Sequence, residues 1–224
     1  MNSHDLRHRA RRSVAALAVV AGAAVALATV VVHADVDRLA ALADAVVDGQ
    51  VEKRAVVFEA ERGAVWTTYE IAVGETLLGA PVERVTVHVP GGAAGGIVQE
   101  VSGTARPELG RRVVLFLSRE EGRLLVLGEA QGCFRVERDE ETKELVCRND
   151  LDGLALVDER GRDVEAGPTV MRLGALRERV LAVAASREEA QRRRREERER
   201  RLAELRRQAE RNAERTRGKP GGAR

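Results

Sequence analysis

The stretch Thr68-Tyr69-Glu70-Ile71-Ala72-Val73, followed by Val85-Thr86-Val87-His88-Val89, alternates with a period of two. Successive side chains of an extended strand point to opposite faces. Tyr69, Ile71 and Val73 therefore share one face and Thr68 and Glu70 the other, as Val85, Val87 and Val89 stand against Thr86 and His88. Val113, Leu115 and Leu117 repeat the spacing against Val114 and Phe116. Further apolar runs lie at Val46 to Phe58, Ile97 to Val101, Leu124 to Leu127, Cys133 to Val136 and Leu145 to Cys147. Turn signals separate them at Gly79-Ala80-Pro81, Pro90-Gly91-Gly92, Pro107 to Gly110 and Glu121-Gly122. Many short strands without alternating helices predict a mainly β domain over residues 35–168, a small antiparallel OB-like barrel or sandwich.

Helical periods flank the strands. Asp37 to Ala43, with Leu39, Leu42 and Ala43 on one face, predicts a short amphipathic helix. From Thr169 the apolar stripe Leu173, Leu176, Val180 and Val183 predicts a packing helix over residues 169–186 that closes over the barrel. Residues 187–217 continue as a charged, solvent-exposed Arg/Glu helix. Glu188 with Arg192, Glu189 with Arg193, Glu196 with Arg200 and Glu197 with Arg201 support it at a few tenths of a kcal/mol each. Leu202, Leu205 and Ala209 make about one and a half heptads, short of an established coiled coil. Residues 218–224, with Lys219-Pro220-Gly221-Gly222, read as a disordered end.

The chain opens with Arg7, Arg9, Arg11 and Arg12, then an uncharged run from Val14 to Val32, then Val32-His33-Ala34. Residues 1–34 predict a signal peptide cut between Ala34 and Asp35. An uncleaved anchor is the alternative, because nineteen residues at about 1.5 Å each reach about 28 Å. Arg11-Arg12-Ser13 also matches part of a twin-arginine leader. Either way the bulk of the chain is expected across the membrane: periplasm, cell envelope or secreted, with N-terminal membrane anchoring as the alternative.

Charge divides the chain. Residues 1–34 carry four Arg against one Asp and residues 187–224 fifteen Lys+Arg against eight Glu, so under a total of +2 residues 35–186 hold −8. Arg192, Arg193, Arg194 and Arg195 are the candidate contact to an anionic surface, peripheral and salt-sensitive since the helix has no apolar face for lying in a membrane. Interleaved Glu and an exported address argue against nucleic acid. One Trp, one Tyr and three Phe leave Val, Leu and Ala to build the core.

Cys133 and Cys147 are symmetric about Glu140, so a hairpin turning there sets them opposite one another and predicts a disulfide. Two buried free thiols are the alternative. Pro90-Gly91-Gly92-Ala93-Ala94-Gly95-Gly96 reads as a mobile inter-strand loop, and Pro90, Gly91, Gly92, Gly95 and Gly96 form a candidate binding loop. Asn149 to Glu159 partly mimics a calcium loop, yet Arg148 stands where its first carboxylate belongs, which makes a polar turn the better reading. His88 is the only histidine beyond His33 and points outward from its strand. No familiar hydrolase motif surrounds Ser102, Ser118 or Ser186, so neither a catalytic residue nor a cofactor or metal is assigned.

Ala43 to Gly49, Trp66-Thr67-Thr68-Tyr69, Leu77-Leu78-Gly79, Val87 to Gly92, Gly110 with Val113 to Leu117, and Ala130 to Phe134 together resemble an uncharacterised family of bacterial exported domains. The strand order and the Leu-Leu-Gly turn are also similar to netrin-like domains, the OB-type barrels of tissue inhibitors of metalloproteases. The resemblance implies a five- or six-stranded barrel with a packed helix, used for binding. The inhibitory mechanism does not carry over, because no cysteine stands near Asp35. The expected function is a non-enzymatic binding module contacting an envelope protein or an anionic polymer or lipid. The alternatives are a structural spacer or a carboxylate enzyme acting through Glu100, Glu108 or Glu129 on an envelope glycan or peptide.

Overall fold

The structure, a computed structural model, describes residues 29–217. In chain order it contains β1 (Thr29–Val32), α1 (Val36–Leu42), β2 (Ala45–Glu59), β3 (Ala64–Leu78), β4 (Arg84–Pro90), β5 (Gly92–Ala94) and β6 (Ile97–Gln99). There follow β7 (Arg112–Glu120), β8 (Arg123–Val126), a 3-10 turn (Glu129–Gly132), β9 (Cys133–Arg138), β10 (Leu145–Asn149), β11 (Leu154–Val157), β12 (Val170–Arg172) and α2 (Leu173–Arg217). The predicted mainly β architecture with a C-terminal helix is present.

Eight strands form one sheet in the order β12-β10-β9-β7-β2-β3-β4-β8, and β8 also pairs with β7. That last pairing bends five strands into a ring, β2-β3-β4-β8-β7, which is OB-like connectivity. Closure is partial: β4 meets β8 in parallel through Val87 with Leu124 and His88 with Leu125 alone. β7 serves two neighbours along one edge, since Arg112 to Leu115 pairs with β9 and Leu117 to Glu120 with β8.

The double alternation of β7 follows from this position. Val113, Leu115 and Leu117 fill the ring with Val47, Val51, Tyr69, Ile71, Val85, Val87 and Val89. Val114 and Phe116 face the other way, into a second core under the helices with Val36, Leu39, Ala40, Val46, Phe134, Leu173, Leu176 and Val180. β2 bends between the two cores through register shifts after Val46, Asp48 and Val51. Gly49 belongs to that bend, because a Cβ there would lie 2.4 Å from the Ala72 carbonyl oxygen. Buried Asp48 is met from the neighbouring β7 by Arg112, whose Nε and Nη2 donate to its two oxygens at 2.8 and 2.7 Å.

Four expectations need correction. The buried face of α1 is Val36, Leu39, Ala40 and Ala43, the i, i+3, i+4, i+7 set, and Leu42 is exposed. Residues 170–172 pair with β10 as β12, so the packing helix begins at Leu173. The Pro90 to Gly96 segment is an ordered hairpin, with Gly95 and Gly96 at its turn (φ 61° and 77°) and Gly92 wedged against Val56 and Thr67.

The fourth concerns the cysteines, which are free and do not face each other. The hairpin pairs Phe134 with Asn149 and Val136 with Cys147, three residues out of the register symmetric about Glu140. An odd slip sends side chains to opposite faces. Cys147 lies in the core under the helices and Cys133 against the ring core.

Ala34 and Asp35, between which the sequence places a cut, lie within continuous structure: Ala34 packs against the helical core and Asp35 caps α1, accepting the Arg38 N–H at 2.9 Å. Arg7 to Arg12, the uncharged run as far as Ala28, and residues 218–224 fall outside the described residues. No helix among the described residues is long and apolar enough to cross a membrane.

Candidate functional site

The outer face of the ring near the end of β4 holds the chain's one Trp beside a histidine. Trp66 on β3 and His88 on β4 sit on paired strands, two residues out of register and so on one face, and their rings meet edge to face with centroids 6.5 Å apart. Arg123, from β8, lies over the Trp66 ring at 4.7 Å and is ion-paired to Glu59 at the end of β2. A cleft of about 250 Å³ opens beside them, walled by Val31, Trp66, His88, Ser118, Glu120, Leu125, Leu127 and Glu129.

The polar groups of this cluster are incompletely satisfied. Trp66 Nε1, His88 Nδ1 and Glu59 Oε2 are buried without a hydrogen-bond partner in the protein, and such groups each cost about 1–3 kcal/mol when nothing answers them. Burial, and secondarily the Arg123 guanidinium, holds His88 below the ordinary imidazole range, so the ring is neutral at pH 7. Burial, reinforced by Glu120, pushes Glu129 above the ordinary carboxylate range. A cation-braced indole, a neutral imidazole and two acids offer stacking, hydrogen bonds and negative charge.

No family model, curated protein or solved structure matches the chain. The site's chemistry is therefore read from its own residues.

The sequence-derived candidates are spread over several places. Pro90, Gly91 and Gly92 line a groove of about 510 Å³ at the mouth of the ring, together with Arg54, Tyr69, Glu100, Arg106 and Glu108. Pro90 also borders the Trp66 cleft, whereas Gly95 and Gly96 sit at the hairpin tip and line neither. Glu100 and Glu108 share the groove while Glu129 lies in the cleft, so the three acids are not one constellation. Glu108 is engaged by Arg135 at 2.9 Å. His88 faces outward as expected, but into the cleft.

Cys133 and Arg148 line a second cavity, also about 510 Å³, with Asp150 and Asp152, and it shares the wall Thr104 to Glu108 with the groove. Asp150 Oδ1 accepts the Asp152 N–H at 3.0 Å, which is the polar turn the sequence predicts. Burial pushes both thiols up to about 12, so neither supplies thiolate at neutral pH.

Arg192 to Arg195 lie on α2 with exposed side chains. At about 100° per residue four consecutive positions spread over some 300° of the helix, so they do not form one patch. Arg194, Arg198 and Arg201, spaced i, i+4, i+7, make the continuous basic stripe without Glu. Of the predicted ion pairs the structure forms Glu189 with Arg193, at 2.6 Å.

Sequence reasoning missed the cleft because its members come from β2, β3, β4, β7 and β8. The available signal was a lone Trp on a strand whose neighbour carries the lone outward His.

Proposed function

We propose that the chain is an exported, non-enzymatic binding module of the bacterial cell envelope, whose barrel contacts a protein and whose charged helix adds a second contact, to an anionic polymer or lipid. The observation that carries the reading is the Trp66–His88 cleft, where an indole N–H and an imidazole nitrogen are buried, braced by Arg123 and unanswered within the protein. Groups held in that state are organised for a ligand to complete. The helix supports the second contact. Its first turns are fastened by Arg177 to Glu75 at 2.5 Å, Arg179 to Asp37 at 2.7 Å and Arg187 to the Ala40 and Ala43 carbonyls. The test is crosslinking and pull-down from intact envelopes with the full chain and with Trp66→Ala. A retained partner that Trp66→Ala weakens at least about tenfold, with circular dichroism unchanged, is the expected result. No retained partner, or one indifferent to Trp66, sinks the reading.

A second reading, a carboxylate enzyme acting on an envelope glycan or peptide, draws on Glu129, whose carboxyl burial and then Glu120 hold above the ordinary carboxylate range in the same cleft. Turnover of such substrates that Glu129→Gln abolishes would establish it, and uniform inactivity would end it.

A further inference from the structure

The residues before α1 are held by a device of their own. Thr29 to Val32 run parallel to β11 in the register Thr29 with Leu154 through Val32 with Val157. Thr29 N–H donates to the Gly153 carbonyl at 3.2 Å, His33 N–H to that of Val157 at 2.8 Å, and Thr29 Oγ1 to that of Ser102. Gln131, 1% exposed, is shaped around the segment. Its Oε1 accepts the Ala34 N–H at 3.0 Å and its Nε2 donates to the Val32 carbonyl at 3.2 Å. Val31 forms a wall of the Trp66 cleft. A cut between Ala34 and Asp35 would remove β1, open that wall and leave the Gln131 side chain with only its 3.3 Å bond to the Gly128 carbonyl.

The sequence offers another cut. Ala26-Leu27-Ala28 has the small-x-small form that a leader peptidase reads, and it ends where β1 begins. Val14 to Val25 before it is an apolar core of twelve residues, inside the roughly 7–15 of a cleavable leader. Once β1 belongs to the domain, Val14 to Ala28 spans about 22 Å, short of the roughly 30 Å a permanent anchor needs.

From these observations we propose that the leader is removed between Ala28 and Thr29, so that the mature protein begins with β1. A membrane-bound leader endopeptidase adds water across the Ala28–Thr29 peptide bond, leaving a carboxylate on Ala28 and an ammonium on Thr29. That ammonium retains a donor for the Gly153 carbonyl, at the turn that also carries Asp150 and Asp152. The proposal rests on the export part of the proposed function.

The experiment is expression of the full precursor in a bacterial host, with fractionation and mass spectrometry of the N-terminus, for the native sequence and for Ala28→Phe. A native chain beginning at Thr29, and an Ala28→Phe precursor whose processing falls at least tenfold, are the expected results. A chain beginning at Asp35, or unchanged processing of Ala28→Phe, overturns the proposal and leaves export standing. An uncut precursor in the membrane with its domain outside also overturns the cut alone. An uncut precursor in the cytoplasm overturns the cut and the export reading together.

Discussion

Cys133 and Cys147 show how one register decides chemistry. Their spacing makes a bridge conceivable, and nothing in the letters fixes where the hairpin turns. The structure turns it through Asp139 to Glu144, with Asp139 Oδ1 accepting the Glu141 and Thr142 N–H groups and Lys143 at φ 59°. The resulting register separates the sulfurs and sets both thiols well above their usual 9.0, up to about 12. Between those values the unfolded chain has lost protons that the folded chain keeps, so stability falls as pH rises through the interval. Each thiol contributes a loss of about 1.4 kcal/mol per pH unit there. Urea unfolding at stepped pH from 8 to 11 should therefore show a decline that flattens in the Cys133→Ala/Cys147→Ala variant; an identical slope would contradict it. In the native protein at pH 8 the fully buried Cys147 thiol should react with a thiol reagent only as fast as the chain opens.

At the scale of elements, the strands were legible because their signal is local. Tyr69, Ile71, Val85, Val87 and Val89 face the ring core as their alternation requires. β7, apolar on both faces, takes the position between two cores that such a run needs. What stayed hidden depends on partners distant in sequence. β1 lies in a stretch indistinguishable from a leader and becomes a strand through β11, more than a hundred residues on. The Pro90 to Gly96 glycines read as freedom, whereas Gly91 and Gly92 allow close approach to Gln99, Val56 and Thr67. α2 was legible in type and misread at its start, where β10 recruits Val170 to Arg172. Its division into packed and solvated parts has a measurable counterpart. Leu176→Ala, in the core under the helices, should cost about 2–5 kcal/mol, and Arg187→Ala, which frees the Ala40 and Ala43 carbonyls, about 1–2 kcal/mol. A chain ending at Arg187 should unfold within about 0.5 kcal/mol of the full chain. A large loss on that truncation would mean that the distal helix also braces the domain.

For the whole molecule, a domain of net −8 carries a segment of net +7. Opposite charges on a flexible tether would fold back on one another. One continuous helix from Leu173 to Arg217 keeps them apart, and over residues 188–217 it extends about 45 Å beyond its last fastening at Arg187. The basic stripe of Arg194, Arg198 and Arg201 is thereby held away from the acidic domain, which an anionic surface would repel. Near such a surface each exposed arginine contributes about 1 kcal/mol at low salt. The stripe should then retain the protein on vesicles containing one-third anionic lipid at about 0.05 M salt, and lose it by about 0.5 M as the screening length contracts. Exchanging Arg194, Arg198 and Arg201 for Gln should weaken retention by about tenfold or more. The same exchange at Arg192, Arg193 and Arg195, which point in different directions among Glu188, Glu189, Glu196 and Glu199, should weaken it less. Equal losses from the two triplets would show that the helix presents net charge rather than a face. Salt-independent retention would show that the contact is made elsewhere, with the Trp66 cleft the first place to look.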